Sequence, residues 1–248
     1  MNNYYMKNKP KLMKAFKKLV DNPKIERKVF LLYFDRQQIQ DLRKDVLEEF
    51  ERLISQIPYV GGKKNKRMTD FLIHTAWSLA IYRTLLKTGM DVRQVGQILY
   101  EISEVYYDTL NPIVKKFGKW YHYSRIARYL LKRNSKKRSK WNYPGDFQGE
   151  LVKGDGKDFT IGYNYTECGN YKFLKAQGAE ELTPYLCLTD YALYRAFGIG
   201  FKRTKTIGMG GTHCDFRLIK NYQTPRGWPP ENVDDFKNYL RQENISHK

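Results

Sequence analysis

The sequence predicts an α+β protein: an N-terminal helical bundle followed by an antiparallel β-sheet packed with helices. Three observations carry this. Apolar residues recur at helical spacing through the first half of the chain. At Trp141-Asn142-Tyr143-Pro144-Gly145 the pattern changes to strand-like alternation. Glycine-rich turns then separate the alternating runs in pairs, as hairpins do. The expected division is a basic helical domain at 1–140 and an α+β domain at 141–248 that carries the candidate site.

Each element has its own signal. Lys11–Val20 puts Leu12, Phe16, Leu19 and Val20 on one face with lysines opposite, and Asp21-Asn22-Pro23 stops it. A second helix runs from about Arg36 to Ile57 and ends at Pro58. The third, from Thr69-Asp70 to Lys87, is apolar over much of its circumference and so belongs at the centre of the bundle. Asp91 caps a fourth that reaches about Leu110, and a fifth covers roughly Pro112–Leu131. Apart from the termini, Asn134–Lys140 alone reads as disordered. Beyond it, Phe147–Lys153 and Phe159–Tyr165 form a hairpin pair around Gly154-Asp155-Gly156-Lys157. Tyr171–Gln177 is a short helix and Glu180–Phe197 a longer one closed by Gly198. Strands at Gly200–Ile207 and around Phe216–Tyr222 flank a glycine turn, and a last helix covers Val233–Arg241. The order ββ-α-α-ββ-α is a layer of helices on an antiparallel sheet.

Composition narrows the class. A chain of 248 residues that is 41% hydrophobic can bury a proper core. The most apolar stretch, Phe71–Leu86, is interrupted by His74 and Arg83, so no membrane span is expected. The N-terminus shows no secretory pattern. Three cysteines, an odd number, argue against a disulfide framework and for a reducing compartment, and the chain reads as cytoplasmic. The net charge of +19 is uneven: residues 1–140 carry 31 Lys and Arg against 13 Asp and Glu, whereas 141–248 carry 14 against 13. Lys63–Arg67 and Lys132–Lys140 are the main basic runs. No nucleic-acid recognition signature accompanies them. The expected partner is therefore a small-molecule substrate, with neither nucleic acid nor membrane, and a homo-oligomer is left open.

The residues that could carry chemistry cluster in the neutral part. His213, Cys214 and Asp215 follow the turn Gly208–Gly211. Alternation along a strand turns Cys214 away from both neighbours, so its partners must come from elsewhere. A buried structural cysteine is the competing reading. Cys187 and Asp190 sit three apart on one helix, with Tyr191 and Tyr194 beside them. An acid on that apolar side is either a functional group or an acceptor for the glycine turn. Cys168, Cys187, Cys214 and His213 form no zinc pattern, lacking any C-x₂-C pair, and neither a metal nor a cofactor is expected. The glycine turn matches no phosphate-binding fingerprint.

The runs P-Y-L-C-L-T-D-Y at 184–191 and R-T-K-T-I-G-M-G-G-T-H-C-D-F-R at 203–217 resemble the L-2-amino-thiazoline-4-carboxylic acid hydrolase family. The segment I-P-Y-V-G-G-K-K-N at 57–65 and the position of Cys168 add to the likeness. The resemblance implies a hydrolase acting on non-peptide carbon–nitrogen bonds of cyclic amidines, opening an aminothiazoline ring to N-carbamoyl-cysteine. For that chemistry Cys214 is the expected nucleophile, with a lowered pKa, because a thiolate attacks an amidine carbon readily. Asp190 would hold the amidinium or move a proton. Arg203 would grip a substrate carboxylate, and Thr206 or the backbone N–H groups of Gly210–Thr212 would meet developing charge. Thr212, His213, Cys187 and Asn164 complete the expected pocket. The competing mechanism has Cys214 only packing while Asp190 and Asp215 activate water. A non-catalytic ligand-binding or sensor protein of the same architecture is the alternative function.

Overall fold

In the computed structural model, residues 3–138, 140–141 and 143–246 are described. The helices are α1 (Asn3–Lys7), α2 (Lys9–Val20), α3 (Pro23–Lys28), α4 (Arg36–Leu53), α5 (Lys66–Leu86), α6 (Val92–Asp108), α7 (Pro112–Tyr123), α8 (Arg125–Arg138), α9 (Gly169–Ala176), α10 (Thr183–Ala196) and α11 (Asp234–Ser246). The strands are β1 (Gln148–Lys153), β2 (Ile161–Glu167), β3 (Gly200–Lys202) and β4 (Cys214–Ile219). The α+β architecture expected from the sequence is the one observed. Contacts group the chain into two units, differently from a cut at 140. One unit holds the chain up to Val105 with Tyr143–Asp146 and Gly169–Leu182; the other holds Tyr106 to Trp141, Phe147–Cys168 and the chain from Thr183.

Reciprocal capping boxes fix two helix starts in the first unit. Gln38 N–H donates to the Asp35 carboxylate at 2.8 Å while Asp35 N–H donates to the Gln38 side chain at 2.9 Å. Asp91 and Gln94 repeat the arrangement ahead of α6. Within this frame α5 is buried over most of its surface, as its sequence requires, and packs on α4 and α9. Phe16, Phe50 and Trp77 form its aromatic centre, with Phe16 and Trp77 stacked at 5.3 Å. Asn22-Pro23, expected only to stop α2, also starts α3: the Asn22 side chain caps it and Pro23 occupies the first helical position.

The second unit is a four-stranded antiparallel sheet in the order β1-β2-β4-β3. Tyr165 pairs with Cys214, Asn164 with Asp215 and Phe201 with Leu218. Alternation then puts Cys214, Phe216, Phe201, Tyr163 and Tyr165 on one face, and Asp215, Arg217, Asn164 and Lys202 on the other. Tyr191 and Tyr194 of α10 meet Phe201 at 4.9 and 4.5 Å, so the first face is the one α10 covers.

Three expectations are corrected. The strand expected to run from Gly200 to Ile207 ends at Lys202. Beyond it Arg203 turns inward, and Thr204 and Lys205 give their N–H groups to the Asp215 carboxylate rather than to a partner strand, both at 2.9 Å. The fifth helix is two helices, because Ser124 takes an extended conformation between α7 and α8. The stretch expected to be disordered from Asn134 continues α8 to Arg138, and Ser139 lies outside the described residues. Among the described residues no helix is long and apolar enough to cross a membrane.

The β3–β4 pairing has little room to spare. A Cβ on Gly200 would lie 2.2 Å from the Ile219 carbonyl oxygen and 2.6 Å from that of Tyr222. Gly200→Ala should therefore lower stability by about 1–3 kcal/mol in urea unfolding. An unchanged midpoint would mean that β3 does not lie against β4 as described.

Candidate active site

The centre of the second unit's buried face is Arg203, whose side chain is 1% exposed. A bare guanidinium at that depth is not tolerable, and three groups receive it. Its Nε donates to Asp235 Oδ2 at 2.6 Å, one terminal nitrogen to Asp190 Oδ2 at 2.7 Å, and the other to the Cys187 carbonyl at 2.9 Å. Around this core lie the rings of Phe216, Phe201 and Tyr191, with centroids 5.1, 5.4 and 5.5 Å from the guanidinium carbon. Burial opposes the charge, but Asp235 and Asp190 more than offset it and push the Arg203 pKa further up. Asp235 is itself completed by the Tyr191 hydroxyl at 3.0 Å and the Phe236 N–H at 3.0 Å. The Tyr191 phenol is pushed well up, by burial first and the Asp235 charge second.

Cys214 and Cys187 adjoin this pair network. Burial is the largest effect on both thiols and pushes each from 9.0 up to about 12, with the Arg203 charge pulling the other way. The expectation of a lowered Cys214 pKa is thereby corrected: the site is too dry, and Arg203 is already neutralised by two carboxylates. Cys168 and Asp190 are near enough to act electrostatically on Cys214, and Cys214, Asp190 and Asp235 on Cys187. The Cys214 sulfur accepts the Ile207 N–H at 3.3 Å. Gly208 closes the cluster, since a Cβ there would stand 2.4 Å from Thr183 Cγ2 and 3.6 Å from the Cys187 sulfur. Two hydroxyls in these flanking segments, those of Thr183 and Thr206, are buried with no hydrogen-bond partner among the described residues. Asp190 is the open side of the cluster, with its side chain 32% exposed. Tyr107 stands near it, its phenol pushed up by burial first and the Asp190 charge second.

The structure thus brings together Cys214, Cys187, Asp190 and Arg203, with Thr206 in the adjoining loop. It separates them from four other expected residues. Asp215 and Asn164 lie on the opposite face of the sheet. There Asp215 accepts from Thr204 and Lys205, and Asn164 accepts from Arg217 at 2.9 Å. Thr212 and His213 pair with each other at 3.1 Å in an exposed contact. The N–H groups of Gly210 and Gly211 are used within the turn, donating to the Ile207 and Thr206 carbonyls at 3.1 and 2.8 Å. Sequence reasoning missed Asp235, Tyr191 as its partner, and Tyr107. Asp235 was visible only as an acid at the start of the last helix, where a helix N-terminus explains it without any reference to Arg203. Among the described residues no three His, Cys, Asp or Glu side chains are placed to hold a metal ion.

Fold and site together define an α+β protein whose buried sheet face presents cysteines beside a half-exposed carboxylate fixed by a buried arginine. The chain belongs to the L-2-amino-thiazoline-4-carboxylic acid hydrolase family, whose sequence pattern matches residues 71–218. Neither a curated protein nor a solved structure matches it.

Two expectations follow from the geometry. Because the folded thiols ionise well above 9.0, their contribution to stability is complete below that pH and is lost as pH rises toward about 12. Iodoacetamide should accordingly label Cys214 and Cys187 slowly in the native protein near neutrality, and faster as pH rises. Rapid labelling of native Cys214 at neutral pH would contradict the burial. Removing one partner of the buried ion pair by Asp235→Ala should cost about 3–5 kcal/mol of stability. A variant melting like the parent would show that Arg203 is not buried as described.

Proposed function

We propose that this chain is a hydrolase that opens a small cyclic amidine such as an aminothiazoline carboxylic acid, acting on a small molecule in the cytoplasm and using Cys214 as nucleophile. The observation that carries the reading is a coincidence of place. Cys214, Cys187, Cys168, Asp190 and Arg203 converge on one face of the sheet, and all five lie within the residues that match the family.

The raised thiol pKa shapes the mechanism. In the resting protein Cys214 is a neutral thiol, and the charge needed to activate it comes from the substrate. An amidinium seated between Asp190 and Cys214 pairs with the carboxylate and favours the thiolate. The sulfur attacks the amidine carbon while its proton passes to Asp190, and the carbon–sulfur bond of the ring breaks. The departing ring sulfur takes that proton. Both carbon–nitrogen bonds are kept in the carbamoyl product, so the bond opened is not the carbon–nitrogen bond that the resemblance implied. The amidine carbon is then held on Cys214 as an isothiourea. Water adds to it, the bond to Cys214 breaks, and the carbon leaves as a carbamoyl group with the thiol restored. One water is consumed and nothing else is released. Asp190 suits the proton transfer because it is partly exposed and exchanges with solvent. Arg203 acts as a positioning residue that holds Asp190, since three of its donors are engaged within the protein. The buried hydroxyls of Thr183 and Thr206 are the donors available to developing charge.

The test is turnover of an aminothiazoline carboxylic acid, followed by the appearance of free thiol. Cys214→Ser and Asp190→Asn should each lower kcat per folded molecule by about a hundredfold or more. Cys214→Ser should keep the parent's melting temperature within a few degrees, whereas Asp190→Asn should lose about 1–3 kcal/mol of stability, because it weakens a charge-assisted bond to buried Arg203. Asp215→Asn should also lose about 1–3 kcal/mol of stability but keep the rate per folded molecule. The raised thiol pKa is also what a packing cysteine would show. A Cys214→Ser variant of full activity would therefore hand the attack to water activated at Asp190. Tight binding of the amidine without any turnover, in the parent chain, would make it a ligand-binding protein instead.

A further inference from the structure

Helix α7 is docked the wrong way round for a soluble surface. Its inward side is small and polar: a Cβ on Gly118 would lie 2.3 Å from the Phe197 ring, and His122, one turn on, meets the Tyr194 ring at 5.9 Å. The Tyr123 hydroxyl anchors the end of the helix by donating to the Ile219 carbonyl at 2.9 Å. Ile113, Phe117 and Trp120, at i, i+4 and i+7, therefore fall on the opposite side. Phe117 and Trp120 lie together there, 5.5 Å apart. No residue of α7 is buried. Ile126 and Tyr129 on the following helix, α8, are exposed too, and these five side chains are between 55% and 76% exposed. The charge around them has one sign: residues 112–140 contain 11 Lys and Arg and no Asp or Glu.

We propose that α7 and α8 form a face that lies on an anionic lipid bilayer. Large aliphatic and aromatic side chains on one side of a lysine-rich helix suit the boundary between headgroups and acyl chains. Trp120 and Tyr129 are of the types that settle at that depth, and lysine stems can lie along it with their charges in the headgroup layer. Charge complementarity selects this occupant over two others. A second copy of the chain meeting the face symmetrically would bring two such basic segments together, at a cost in like-charge repulsion. A nucleic acid would satisfy the lysines and stack on Phe117, Trp120 and Tyr129, but it would leave Ile113 and Ile126, the most exposed aliphatic side chains here, in water. This departs from the sequence expectation of no membrane partner, which rested on the lack of a spanning segment; a helix lying in the surface needs none.

The full chain, tested by vesicle flotation, should bind phosphatidylcholine vesicles containing about 30 mol % phosphatidylserine, and about tenfold less to phosphatidylcholine alone. Combining Ile113→Ser, Phe117→Ser and Trp120→Ser should weaken binding to the anionic vesicles by about a hundredfold. That variant should keep the parent's melting temperature, because it removes exposed side chains only. Lys116→Glu with Lys119→Glu should weaken binding on anionic vesicles and leave the weak binding to neutral ones unchanged. Failure to float with anionic vesicles overturns the proposal. So does flotation that the apolar triple variant leaves intact, which would make the contact a matter of charge alone. A concentration-dependent dimer that the triple variant abolishes, in a chain that ignores vesicles, would assign the face to a second copy. A salt-sensitive complex with single-stranded RNA, again without vesicle binding, would assign it to nucleic acid.

Discussion

The buried ion pairs of Arg203 are the constraint on which the second unit depends. They join three stretches far apart in sequence: the end of β3, the middle of α10 through Asp190, and the start of α11 through Asp235. Taking a guanidinium out of water is costly, and the pairs repay that cost only if every partner is in place. The arrangement therefore acts more as a geometric lock than as a source of stability. β3 itself stops after Lys202 because Thr204 and Lys205 give their N–H groups to the Asp215 carboxylate instead of to a partner strand. The lock accounts for an acid beyond the family match: Asp235 lies outside residues 71–218 yet completes the charge of an arginine inside them.

The lock has an electrical consequence for the cysteines. With Asp235 and Asp190 both on Arg203, little positive charge is left over for a thiolate, and burial decides the thiol pKa. A buried thiol of this kind reacts slowly with adventitious electrophiles, and under the proposed mechanism an entering cation activates it. In the proposed reaction the substrate is that cation. Specificity for an amidinium then follows from the same feature that keeps the free protein quiet, and a neutral ring of similar shape would gain nothing from binding there.

Much of this was legible in the sequence, and the rest was hidden for identifiable reasons. Strand alternation correctly turned Cys214 away from Asp215, because a period of two leaves no freedom within β4. Helical spacing correctly placed Cys187 and Asp190 near one face of α10: the Asp190 carboxylate bonds Arg203, and the Cys187 thiol is close enough to feel its charge. Local reasoning failed where a side chain's role is set by a distant partner. Arg203 reads as an anion grip until Asp235, 32 residues on, is seen against it. Asp215 was grouped with Cys214 by nearness in sequence and Asn164 as a further pocket candidate, whereas both lie on the opposite face of the sheet. Ser124, an ordinary residue in a helical pattern, takes an extended conformation that divides α7 from α8, a break that helical spacing alone does not signal.

The central claim is that ring opening passes through a covalent bond to Cys214. Intact-mass spectrometry of the protein, quenched in acid within the first turnover of an aminothiazoline carboxylic acid, tests it most directly. The account predicts a transient gain of the whole substrate mass, mapping to Cys214 and absent from Cys214→Ser. Turnover with no adduct on any cysteine, under conditions where hydrolysis of an isothiourea would be slow enough to catch, would contradict it.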